Sequence, residues 1–167
     1  VTITNAHTTE TTEVAGTKTW NDADNQDGIR PESITVNLLA NGKVVKTTRV
    51  SAETEWSYRF TDLPKNEGGK AIDYKVSEEA VEGYDGSVDG FNITNTHTPE
   101  TTEVTGTKTW DDNNNQDGIR PDSIIVNLMA NGKVVGTTKV SAETNWKYTF
   151  SNLPKHVVGS EGKEVIY

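Results

Sequence analysis

Apolar residues in this chain recur at every second position in short runs, and Gly, Asn, Asp and Pro separate the runs. In "VAGTKTW" (14–20), Val14, Gly16, Lys18 and Trp20 share one face of an extended strand, and Ala15, Thr17 and Thr19 share the other. The same alternation predicts strands at 13–20, 33–40, 43–50, 55–61, 72–79 and 91–98. Asn41-Gly42 between two apolar runs is a strong hairpin signal, and "DGIRP" and "LPKNEGG" punctuate the longer connections. No segment carries a helical period. Several short strands at this spacing predict an all-β chain built as β-sandwiches.

Three of the inward faces carry a polar residue. Lys18 lies between Val14 and Trp20, Glu78 follows Tyr74 and Val76, and Asn95 follows Phe91 and Ile93. Burying an unpaired charge costs several kcal/mol, so such a group neutralises or finds a partner. One reading is a buried Lys–Glu pair with the asparagine completing its hydrogen bonds, and another is exposure of all three at a sheet edge. A third is chemical. Burial lowers a lysine's pKa and makes the amine a nucleophile, while a buried glutamic acid stays protonated and shuttles protons. The asparagine amide then serves as electrophile, ammonia leaves, and an isopeptide bond joins Lys18 to Asn95. Glu79 is the alternative acid, but alternation turns it outward.

Internal repetition sets the organisation. Residues 13–65 recur as 103–155 and residues 3–14 as 93–104, both at an offset of 90. The expected layout is the last strand and linker of a preceding repeat at 1–10, a complete domain at 11–98, and a linker with an incomplete second domain at 99–167. That second domain lacks its final strands. Asn5 and Lys108 occupy the positions of Asn95 and Lys18, but neither has a full set of partners in this chain. The short, threonine-rich linker with Pro99 predicts an elongated, semi-rigid succession of domains. Strand exchange, with the segment around Asn5 filling the second domain of another copy, is a further expectation, without a covalent bond at Lys108.

Composition narrows the function. The 167 residues hold 25 acidic against 16 basic side chains, a net charge of −9, and no basic cluster interleaved with aromatics, which argues against a nucleic-acid partner. No run is long and apolar enough for a membrane span, and the N-terminus has no signal-peptide pattern. The absence of cysteine removes disulfides and thiolate chemistry. The acidic loops 21–28 and 111–118 make Asp22, Asp24 and Asp27 weak metal candidates, against a turn satisfied by its own Asn and Asp side chains. His7, His97 and His156 read as solvated linker residues. No serine sits in a nucleophile motif and no glycine-rich phosphate loop precedes a helix, so neither a cofactor nor a turnover enzyme is expected. The tryptophans at 20, 56, 110 and 146 supply aromatic packing.

"GTKTW", "YKVSE" and "ITNT", in that order within one 90-residue repeat and with the "DNQDGIRP" loop, closely resemble the B-type repeat domains of the collagen adhesin Cna family of Gram-positive surface proteins. The resemblance covers nearly the whole chain. It implies an immunoglobulin-like sandwich with an intramolecular bond between first and last strands. Lys18 and Asn95 match the family's bonded pair and Glu78 its assisting acid. It implies an extracellular, cell-wall-anchored stalk whose partners are adjacent repeats, with any host-matrix ligand bound by other domains. The rival reading is that the repeats themselves bind matrix.

Overall fold

The computed structural model describes residues 1–167 and is all-β apart from two single-turn 3₁₀ segments. Packing divides it into two compact units, residues 1–24 with 29–98, and residues 25–28 with 99–167. Within the first unit the leading ten residues carry no strand, and Asn5 is exposed there. No helix is long and apolar enough to cross a membrane.

The first unit contains β1 (Thr11–Asn21), β2 (Ser33–Ala40), β3 (Lys43–Ser51), β4 (Ser57–Pro64), β5 (Asn66–Glu67), β6 (Lys70–Ala71), β7 (Tyr74–Glu78), β8 (Asp85–Asp89) and β9 (Asn92–Thr96). One sheet has the order β4-β1-β9-β8 and the other β3-β2-β7, while β5 and β6 form a separate small hairpin. The two sheets pack face to face as a sandwich. Val14, Tyr58, Phe60, Leu63 and Ile93 from the first meet Ile34, Val36, Leu38, Val50 and Val76 from the second. These residues are the inward positions of the alternating pattern, because period-2 burial is what a sheet with one wet face requires.

Strand β1 changes partner midway. Thr11–Thr17 pair antiparallel with β4, and Lys18–Asn21 pair parallel with β9. First and last strands of the unit are therefore neighbours running in the same direction.

Two departures from the sequence expectations have local causes. The strand predicted from residue 55 begins at Ser57, since Glu55 and Trp56 have φ of 54° and 53°, outside any strand geometry. A 3₁₀ turn at Ala52–Thr54 precedes them, with Ser51 and Thr54 in a capping box. Strand β8 was missed altogether. Its five residues, Asp85–Asp89, are all exposed and only one is apolar, so no alternation marks it.

The second unit contains β10 (Thr101–Thr107), β11 (Ser123–Ala130), β12 (Lys133–Ser141) and β13 (Lys147–Pro154). Strand β10 pairs with β13, and β11 with β12, in the registers of their first-unit counterparts. Residues 155–167 form no strand corresponding to β7, β8 or β9. The core is correspondingly open. Only Leu128 and Val140 among its apolar residues are buried, beside a cavity of about 680 Å³ lined by Phe150, Leu153 and Tyr167 among others.

Candidate functional site

The partner change in β1 positions Lys18. Its backbone is paired with Ile93, which places Asn95 two residues farther along the adjacent strand on the same face. A diagonal neighbour of this kind lies roughly 7–8 Å away between backbones, within reach of a long side chain. Glu78 arrives from the other sheet, at the end of β7, where it is paired with Val36 of β2. The three polar side chains thus converge from three strands and both sheets.

All three are withdrawn from water. The side chain of Lys18 has 0% exposure and that of Glu78 8%, and Asn95 is 1% exposed. Lys18 Nζ donates to Glu78 Oε2 at 2.6 Å and lies 4.2 Å from the centre of the Trp20 ring. Burial pushes the Lys18 amine below its ordinary value of 10.5, and the bond and charge of Glu78 oppose that shift without cancelling it. Asn95 differs from its neighbours. Neither its Nδ2 nor its Oδ1 has a hydrogen-bond partner. Leaving a buried amide unsatisfied costs about 1–3 kcal/mol per group.

Glu79, the alternative acid, is turned to the opposite side of β7, where Asn37 Nδ2 donates to its Oε1 at 3.0 Å. Behind Lys18, Trp20 stacks edge-on against Trp56 and Tyr84. The Tyr84 hydroxyl donates to Asp22 Oδ2 at 2.7 Å, and Arg30 grips the same carboxylate through Nε at 3.1 Å and Nη2 at 2.6 Å. Burial, reinforced by the bond to Asp22, raises the Tyr84 phenol above its ordinary value of 10.0.

This brace was not legible as such in the sequence. Asp22, considered there as a metal ligand, is 1% exposed and serves as the acceptor that ties Arg30 and Tyr84 behind the tryptophan. Its signal was the eight-residue spacing to Arg30, repeated as Asp112 and Arg120, which form the same pair.

The other metal candidates are not gathered around Asp22. Asp24 is exposed with φ of 56°. Asp27 packs within the second unit, where its Oδ1 lies 2.8 Å from His156 Nδ1 and its Oδ2 accepts the Glu100 N–H at 2.8 Å. Asp27, Glu100 and His156 bring ligand atoms within 4.8 Å of one another and are the residues that could hold a cation.

The histidine expectation needs correction for two of the three. His97 Nδ1 lies 2.9 Å from the Gly83 carbonyl oxygen with its ring against Tyr84, and the His156 side chain is only 13% exposed. Both are held by specific partners, whereas His7 is exposed.

In the second unit, strand β10 ends at Thr107, one residue before Lys108. Lys108 Nζ keeps its place over Trp110, 4.4 Å from the ring centre, but the lysine is only partly buried and no carboxylate pairs with it. Asn5 lies in the strandless leading segment of the first unit.

The Cna protein B-type domain model matches residues 14–96 and again 104–167. The chain belongs to the Cna B-type domain family. The two matched segments are the two packing units in outline, and each begins within the strand that leads into the Gly-Thr-Lys-Thr-Trp motif. A collagen adhesin of Staphylococcus aureus is 49% identical over 165 residues, which is 98% of this chain but 14% of the relative's length.

Solved structures of Cna B repeats from the same organism align as well. A single B repeat unit of its collagen-binding surface protein is 48% identical with a TM-score of 0.53, over 93% of this chain and 82% of that one. A structure of two B repeat units gives 48% identity and a TM-score of 0.55, over 96% of this chain and 42% of that one. One Cna B repeat unit therefore corresponds to both units of this chain, and each 90-residue repeat to half of it.

Proposed function

We propose that the complete Cna B-type unit forms an isopeptide bond between Lys18 Nζ and Asn95 Cγ, assisted by Glu78, and serves as a cross-linked spacer in a bacterial cell-surface adhesin. The observation that carries this reading is the buried Asn95 amide, with no hydrogen-bond partner, beside an equally buried Lys18–Glu78 pair. A merely structural asparagine would be expected to satisfy its amide.

The chemistry is balanced within the site. A proton moves from the ammonium to the carboxylate along the 2.6 Å bond, leaving a neutral amine and a neutral acid. The amine attacks Asn95 Cγ while the acid donates to Oδ1. The Nζ–Cγ bond forms, the Cγ–Nδ2 bond breaks, Nδ2 leaves as ammonia with the proton that the amine releases, and the proton on Oδ1 returns to Glu78 as the carbonyl re-forms. The event happens once per molecule and is not turnover.

The bond would close a loop spanning almost the whole unit. By the chain-entropy estimate for cross-links, closure stabilises by roughly 4–5 kcal/mol. Because β1 and β9 are adjacent, tension entering at the first strand would pass directly to the last, leaving the intervening strands unloaded. A spacer needs that property, and it would sit outside the cell where the collagen adhesin acts.

Intact mass under denaturing conditions tests the bond. The expected mass lies one ammonia below that of the sequence, and Lys18→Ala or Glu78→Ala restores the full value. The sequence mass in the unsubstituted protein would overturn the reading. Collagen binding is a property named for the relative as a whole. A spacer role predicts that the isolated chain does not retain collagen, and retention would favour the repeats as the adhesive element.

A further inference from the structure

We infer that Gly86 is a positioning residue for the cross-link: its missing side chain keeps open the space in which the Asn95 amide and the Glu78 carboxyl meet. This rests on the bond proposed above. Gly86 lies directly opposite Asn95 in the antiparallel β8–β9 ladder, and directly opposed residues point to the same face. A Cβ built on Gly86 would stand 3.0 Å from Asn95 Oδ1 and 3.5 Å from Glu78 Oε1. One methyl carbon at this position therefore touches both groups whose approach the reaction needs. The first contact is too close for a carbon and an oxygen that share no hydrogen bond, so the amide would have to shift by a few tenths of an ångström. A larger side chain would enter the gap itself.

Backbone geometry does not explain the glycine. Gly83 and Gly90, on either side of β8, have φ of 81° and 62° and serve turns, whereas Gly86 lies outside the left-handed region and sits within a strand. A glycine inside a strand weakens it and commonly marks a close approach. Here the close approach is by the reacting groups of two other strands. Gly86 also borders a cavity of about 360 Å³, lined by Glu78, Val76, Tyr84 and Ile93 among others, which gives the departing ammonia room.

The full chain is made by cell-free synthesis and sampled over time by denaturing mass spectrometry. Loss of ammonia should be about tenfold slower in Gly86→Ala, since small misplacements of reacting groups carry large rate penalties. In Gly86→Val the sequence mass should persist. Ser87→Ala, one residue along and on the opposite face, should react at the unsubstituted rate. In a Lys18→Ala background, where no bond can form, adding Gly86→Ala should leave the melting temperature within a few degrees, which separates approach from folding.

The limb of the pH–rate profile set by the Lys18 amine should stay in place in Gly86→Ala, whereas a site loosened to water would move it up toward the ordinary amine value. Reaction of Gly86→Ala at the unsubstituted rate, or a displaced amine limb, would overturn this role while the bond itself stands. Failure of the unsubstituted chain to lose ammonia would overturn the bond and this role with it.

Discussion

The chain holds two copies of Gly-Thr-Lys-Thr-Trp that are identical in sequence and different in structure. At Lys18 the strand runs on to Asn21, and at Lys108 it has already stopped at Thr107. The upstream pairing is the same in both, down to the bonds from the Lys18 N–H to the Trp56 carbonyl and from the Lys108 N–H to the Trp146 carbonyl, each 2.7 Å. What differs is the neighbour on the other side. Lys18–Asn21 pair with β9, and residues 108–111 have no such partner. Strand identity over those four positions is therefore set by tertiary pairing and not by local preference. Burial follows the same rule, with Lys18 4% exposed and Lys108 partly open.

The comparison is broken most severely at the two lysines. In the first unit, Lys18→Ala should lower stability by roughly 4–5 kcal/mol, the loop-closure contribution that the proposed cross-link would supply. Lys108→Ala should move the melting of either unit by less than about 0.5 kcal/mol, as is usual for a side chain outside a packed core. Calorimetry resolving the two transitions reads both. Equal losses at the two sites would refute the assignment of the bond to the complete unit alone.

A smaller effect separates the cores. Ile34 and Ile124 are repeat equivalents, yet Ile34 is 4% exposed and Ile124 is only partly buried. Ile34→Ala should cost about 3–4 kcal/mol, because it removes transfer energy and leaves a cavity among well-packed neighbours. Ile124→Ala should cost less than half as much, since water already reaches that face. Urea unfolding of each variant decides the matter, and comparable costs would mean that the second core is as closed in solution as the first.

Particular residues show where sequence was sufficient. The inward placement of Lys18, Glu78 and Asn95 could be read from alternation alone, since the face of a strand residue is fixed by its parity once one apolar neighbour is assigned. That the first and last strands come together was legible only through the family resemblance, because it joins residues at opposite ends of the unit, and their parallel direction was not legible at all. Strand β8 left no trace, as an exposed edge strand has no buried face to pattern. The Asp22–Arg30–Tyr84 brace was hidden for a different reason. Acidic loop residues look alike in sequence, and only the fold shows which one is buried against a guanidinium. Gly86 was invisible as a functional position because a strand glycine carries no chemistry of its own and matters only through what approaches it.

The pH dependence of stability gives the subtlest separation of the two lysines, and it requires a protein that cannot cross-link. In Asn95→Ala the Lys18 amine remains buried, and its pKa in the folded state lies below the ordinary 10.5 that it regains on unfolding. Between those two values the unfolded chain holds more protons than the folded one, so stability must rise with pH across that window. Below the depressed value both states are protonated, and the full cost of burying the ammonium persists. For a single proton the slope is at most about 1.4 kcal/mol per pH unit. Lys18→Met in the same background should flatten that rise, because the titrating group is gone while the aliphatic packing is largely kept. Lys108→Met should leave the rise in place. Denaturant midpoints measured from neutral pH toward 10.5 test the sign directly: a fall in place of a rise would mean that the bond and charge of Glu78 outweigh desolvation, and that the resting pair holds the amine as an ammonium more firmly than water does.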